Sequence, residues 1–214
     1  MESPLRRVVV RVGIAALVVA ALSWLVVRTI RSTRPYSIDA AALSGWTLAI
    51  ADSPDPALVV LEPRSLLPTE LFQQLVRRSG QPLVAPAHPS VPLVLKSEYS
   101  DSLQGVLSVA DVLDVAREAG VEGARFEPVC IGQHRASTPG RSDQLFFVLF
   151  DAPAFNEFRR QLTPLFPEHA GAGFYDPAAL RPILTIAATD REFDHWWPLT
   201  VEQRTDCLAT LSAN

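Results

Sequence analysis

The chain of 214 residues is 48% hydrophobic and 20% charged, a composition typical of globular domains that excludes disorder as a reading of the whole. Six of the 19 basic residues and one of the 23 acidic ones precede residue 35, leaving 13 bases against 22 acids and a formal charge of −9 beyond that point. A surface that acidic lacks the electrostatic footprint for a phosphate backbone, so general nucleic-acid binding is not expected.

The first element is apolar. Val12 to Val27 is a run of sixteen uncharged residues, extended on the other side of Arg11 by Val8 to Val10. At 1.5 Å per residue, Val8 to Val27 spans about 30 Å, the thickness of a bilayer's hydrocarbon core. Arg11 lies one turn inside, where its side chain reaches the headgroups, and Trp24 suits the far interface. The run predicts an N-terminal transmembrane anchor over residues 1–31, in contact with the lipid bilayer through residues 8–27, and hence a single-pass membrane location. The competing reading is a signal peptide cleaved near Ala21-Leu22-Ser23, but the run continues past that site.

Three arginines stand on each side of the apolar core (Arg6, Arg7, Arg11 and Arg28, Arg31, Arg34), so charge alone does not orient it. The short leading tail and the only two cysteines, Cys130 and Cys207, lean toward an exported domain. Paired, the two cysteines would close a long loop, worth on the order of 4 kcal/mol. Unpaired, they are two buried thiols, and the sequence leaves both open.

Residues 32–44 read as a linker and Gly45 as the start of an α+β domain that runs to residue 214. Trp46–Ala51 and Ala57–Leu61 read as a strand pair across the turn residues Asp52 to Pro56. Pro68 opens a helix to about Arg78 with Leu71, Phe72, Leu75 and Val76 on one face, ended by Ser79-Gly80. Prolines 82, 86 and 89 keep the next stretch irregular, and Val91–Ser97 reads as a strand. Ser108 caps a helix with Asp111 three residues on and Val109, Val112, Leu113 and Ala116 as its apolar face, ending near Gly120.

Phe126–Ile131 and Leu145–Phe150 are predicted strands joined by a polar loop containing His134. Pro153 opens a helix that buries Phe155, Phe158 and Leu162 and leaves Arg159 and Arg160 in water. Leu184–Ala188 and Asp206–Leu211 complete the strands. The irregular alternation predicts an α+β fold, helices packed on a mixed or antiparallel sheet.

Chemistry-bearing patterns are sparse. Gly171-Ala172-Gly173 reads as a turn, since no phosphate-loop pattern surrounds it. His134, His169 and His195 have no metal-ligand spacing, and Asp190, Glu192 and Asp194 read as a solvated acidic loop, so neither a metal nor a cofactor is expected. Trp196-Trp197-Pro198 is either a stacking platform for a ligand or the cover of a core end, with cover the default. No nucleophile elbow appears.

Phe174-Tyr175, Arg181-Pro182-Ile183-Leu184-Thr185-Ile186, Thr189-Asp190-Arg191 and the preceding Asn156-Glu157-Phe158-Arg159-Arg160 carry one resemblance. From Val91 onward the order of segments resembles the two-histidine phosphoesterases, the superfamily that includes RNA-ligase-like cyclic phosphodiesterases. That resemblance implies two facing strands, each offering a histidine as acid or base and a hydroxyl two residues on. Here the histidine position of the second strand is Ile183 while Thr185 keeps the hydroxyl, and the first strand has only His88-Pro89-Ser90 just before it. The implied function is an anchored domain acting by binding or assembly, with a protein partner as one candidate. The alternative is a phosphodiesterase or other hydrolase with a relocated site, built from His88 or His195 with Thr185.

Overall fold

The computed structural model describes residues 17–24, 34–52, 55–138, 141–163, 176–190, 193–197, 199 and 201–214. The chain divides into two units, Met1–Arg34 and Pro35–Asn214. In the first, residues 17–24 are helical and expose Leu17, Val18, Val19, Leu22 and Trp24. No helix among the described residues is long and apolar enough to cross a membrane. This corrects the expected transmembrane anchor over residues 1–31 and the single-pass membrane location. The rest of the apolar run lies outside the described residues.

The second unit begins ten residues before the expected Gly45. β1 (Tyr36–Ile38) pairs in parallel with β9 (Leu211–Ala213), and a 3₁₀ turn at Ala40–Leu43 follows. Asp39 caps that turn by accepting the Ala41 N–H at 2.9 Å, and Ala42 and Leu43 are buried. The expected linker over 32–44 is thus largely part of the fold. Its apolar anchors, Tyr36, Ile38 and Leu43, are too widely spaced to show a period. Gln74 donates to the Ser37 carbonyl at 2.7 Å and accepts the Ser37 N–H at 3.1 Å, occupying the free side of β1. Arg78 lies 3.9 Å over the Tyr36 ring. Burial pushes the Tyr36 hydroxyl upward, against the lowering pull of Arg78.

β2 (Trp46–Ile50), β3 (Ala57–Pro63) and β4 (Val91–Leu95) form an antiparallel sheet in the order β2-β3-β4. α1 (Leu67–Ser79) has proline in its first turn and ends at Gly80, whose φ of 64° is the left-handed conformation that favours glycine. Leu71 and Leu75 are buried but Val76 is 40% exposed, so the helix buries a narrower stripe than its pattern suggests. α2 (Val109–Glu118) starts with a reciprocal cap. Ser108 Oγ accepts the Asp111 N–H at 3.2 Å and Asp111 Oδ2 accepts the Ser108 N–H at 2.8 Å. The Ser108 hydroxyl and the Ser108 N–H both donate to Asp111 Oδ2 and hold its carboxyl below its usual range, the hydroxyl contributing most.

β5 (Glu127–Thr138) and β6 (Arg141–Asp151) form one long hairpin. The polar stretch around His134, expected as a loop, stays in the ladder: His134 faces Leu145 and Gly132 faces Phe147. Backbone pairing along a long hairpin tolerates polar side chains that the apolar pattern does not flag. The second sheet has the order β7-β6-β5-β8, with β7 at Ile183–Ala188 and β8 at Cys207–Ala209. The expected strand over Asp206–Leu211 is present as β8 and the start of β9, separated at Thr210 and preceded by one helical turn at Gln203–Asp206. The architecture is α+β with antiparallel sheets plus the parallel β1-β9 pair.

Leu145 to Phe150 is buried at every position because both faces of this sheet are covered. Phe146, Val148, Phe150, Leu184 and Ile186 join the main core, where Trp46 packs on Phe126 and Phe150 at 4.7 and 5.8 Å between ring centres. Cys130, Leu145, Phe147, Leu149 and Ile183 form a second apolar cluster with Trp196, Leu199 and Val201. An isolated bridge ties the irregular stretch before β4 to the end of β7: Val84 and Ala188 exchange backbone hydrogen bonds of 2.8 and 2.9 Å.

α3 (Pro153–Leu162) buries Phe155, Phe158 and Leu162 in the main core. Its Arg159, expected in water, is 1% exposed. Its guanidinium meets both carboxylate oxygens of Glu98 at 2.7 and 2.8 Å and donates to the Leu93 carbonyl of β4 at 3.2 Å. Arg159 sits four residues after Phe155 and so falls on the buried stripe. Its charge is matched by Glu98 and by backbone carbonyls rather than by solvent.

Candidate functional site

Three of the residues singled out in the sequence line one cleft between the two sheets. His88 and Ser90 reach it from the irregular stretch before β4, Pro92 from β4, Thr185 from β7, and Phe193 and Trp197 from the segment after β7. Thr185 is 9% exposed. The cleft measures about 50 Å³. That is room for a few waters, whereas sites for drug-sized ligands run to roughly 300–1,000 Å³.

Two residues before Thr185, at the position where the resemblance expects a histidine, stands Ile183. Ile183 is 1% exposed and packs among Leu145, Phe147, Leu149 and Trp196. An aliphatic side chain transfers no proton, and this one is locked into a core. β4 is buried along its whole length and consists of Val91, Pro92, Leu93, Val94 and Leu95. No acid or base therefore stands on the first strand, and His88 lies three residues outside it.

The remaining candidates separate. His195 belongs to the 3₁₀ turn Phe193–Trp196, but its side chain lies outside the described residues, as do His169, Gly171-Ala172-Gly173, Phe174-Tyr175 and Glu192. Trp196 is 5% exposed inside the second cluster, and Trp197 packs against both clusters. The tryptophan pair is therefore core cover, with Trp197 also walling the cleft. Asp190, read as part of a solvated loop, is buried at 7% exposure. Among the described residues, no group of three His, Cys, Asp or Glu could hold a metal ion.

Cys130 and Cys207 form a disulfide with Cα atoms 5.7 Å apart. Beside it, His134 Nδ1 lies 3.7 Å from Asp206 Oδ1, and the His134 ring stands edge-on to Trp196 at 6.1 Å between centres. This grouping was missed because His134 was read as part of a loop. The two-residue alternation of β5 puts it on the same face as its cross-strand partner Leu145.

Two larger concavities gather none of the predicted site residues. One of about 440 Å³ is lined by Glu70, Gln74, Arg77 and Asn214, and one of about 460 Å³ by Asp151, Asn156 and Arg181. Comparison with protein-family models, with curated proteins and with solved structures gives no match.

Proposed function

We propose that the domain is a non-catalytic, phosphoesterase-like module that acts by binding or assembly. The observation that carries this reading is the buried Ile183 beneath Trp196, Leu199 and Val201. It occupies the position where the resemblance calls for a proton-transferring histidine. The two antiparallel sheets, with α1 to α3 packed in the main core beside them, support the likeness of shape. The cleft of about 50 Å³ supports the absence of chemistry, since a cyclic nucleotide phosphate needs several times that space.

The test is turnover of 2′,3′-cyclic nucleotide phosphates by the purified full chain, alongside His88→Ala, Thr185→Ala and His195→Ala. The expected result is no hydrolysis above that of the variants. Turnover that His88→Ala or His195→Ala abolishes would instead establish the hydrolase with a relocated site.

A further inference from the structure

We infer that the concavity beside the start of α3 is a binding site for a small zwitterion of the amino-acid type, with Arg181 taking its carboxylate and Asp151 its ammonium. This goes beyond the reading above. The concavity shares no lining residue with the cleft at Thr185, so either conclusion can fail alone.

Its walls come from four stretches of chain: Val129 from β5, Asp151 from the end of β6, Asn156 from α3, and Leu180, Arg181 and Pro182 from the segment leading into β7. At about 460 Å³ it falls in the range of sites for small ligands. The segment that carries Arg181 is fixed from several sides. The Phe150 N–H donates to the Pro182 carbonyl at 2.9 Å, and the buried Arg159 donates to the carbonyls of Asp176 and Pro177, both at 3.4 Å. Asp176 Oδ1 accepts the Ala178 N–H at 2.9 Å, and Leu180 is 5% exposed. Polar groups carried on backbone held in this way meet a ligand at little ordering cost.

Arg181, Asp151 and Asn156 are exposed, and none of the three has a side-chain hydrogen bond or an ion pair among the described residues. A cation and an anion thus line one concavity without neutralising each other. Glu127, the cross-strand neighbour of Asp151, is by contrast held by Arg125. A ligand with a single charge would meet one opposite and one like charge here, whereas a zwitterion meets two opposite ones. Arg181 presents a planar fork of donors to a carboxylate, and Asp151 presents two acceptor oxygens to an ammonium. Asn156 adds a donor and an acceptor for the polar remainder. The other large concavity is built differently. Its Glu70, Gln73, Gln74 and Arg77 lie on one face of α1, while Gln74, Asp39 and Asn214 are engaged in bonds that hold β1 and the turn after it.

The experiment is isothermal titration calorimetry of the full chain with each common amino acid in turn, then with the N-acetyl and the amide derivative of any that binds. Binding of at least one amino acid is expected. Blocking its ammonium or its carboxylate should weaken affinity by about tenfold or more, as should Asp151→Asn and Arg181→Gln, since each removes a charge-assisted hydrogen bond. Arg77→Gln, in the other concavity, should bind like wild type. The derivatives read the same two contacts without any substitution, so a variant that does not fold leaves the test standing. The inference is overturned if no amino acid binds, or if an N-acetyl derivative binds as tightly as its parent. Unchanged affinity in Arg181→Gln and Asp151→Asn overturns it as well.

Discussion

One face of the β7-β6-β5-β8 sheet, with Phe146, Val148, Phe150, Leu184 and Ile186, is packed into the main core together with residues of all three helices and of the other sheet. The opposite face, with Leu145, Phe147, Leu149 and Ile183, clusters with Trp196, Leu199 and Val201, from chain whose described elements are a 3₁₀ turn and one helical turn. The strands are equally buried on both sides, yet one cover is built from long helices and a sheet and the other from short turns. Burial alone therefore does not tell how firmly a surface is closed. What matters is whether the cover can leave without dismantling anything else.

Substitutions that hollow out each face break this comparison most directly. Trp46→Ala empties the main core beside Phe126 and Phe150 and should lower unfolding stability by about 3–5 kcal/mol, read as a shift of the urea midpoint. Trp196→Ala removes the same side chain from the other face. It should shift the midpoint by roughly half as much or less, because Trp196 lies in the smaller of the two clusters and is carried by a 3₁₀ turn that can open locally. Equal shifts would mean that both covers belong to one cooperative unit.

Arg159→Leu should cost about 3 kcal/mol or more, since Glu98 and the Leu93 carbonyl lose their shared partner. Arg160→Leu, one residue on at an exposed pair with Glu157, should leave the midpoint where it is. Gly132→Ala would set a new methyl 2.3 Å from the Phe147 ring, which is fully buried. Overpacking of that kind costs about 1–3 kcal/mol, and a Gly132→Ala, Phe147→Leu double variant should recover part of it.

A smaller effect than these core losses lies at the α2 cap. Ser108→Ala should cost about 1 kcal/mol by urea denaturation at neutral pH. The Asp111 carboxyl is held below its usual range by its bonds from Ser108. Its contribution is therefore present above the unfolded-state pKa and is lost as the pH falls through the lower folded-state value. The difference between wild type and Asp111→Asn should be present at neutral pH and disappear in strong acid.

The parts of the fold that could be read from the sequence are those fixed by local chemistry. Ser108 and Asp111 mark the start of α2, Gly80 the end of α1, and the apolar triplet Phe155, Phe158 and Leu162 the buried side of α3. The misreadings share a physical origin in partners distant in the chain. Arg159 was assigned to water because its counter-charge, Glu98, lies 61 residues away. His134 was placed in a loop because its ladder depends on the return strand. Ile183 could be recognised as a non-acid from its side chain alone, but its role as core filler depends on Trp196 and Leu199 folding back over it. The apolar run at the N-terminus shows the converse error: its length and composition predict a membrane-spanning helix, and no helix among the described residues is long and apolar enough to be one.

The pairing of β1 with β9 has a mechanical consequence. The strand that opens the domain and the strand that closes it run in the same direction, bridged by the Tyr36 N–H to Thr210, the Asn214 N–H to Ile38 and the Ala40 N–H to Asn214, at 3.0, 3.0 and 3.2 Å. Tension applied to the two ends of the domain loads these bonds sideways and all at once, where an antiparallel pair would peel open one bond at a time. Under load the domain should hold until the whole clasp slips and then give way in a single rupture.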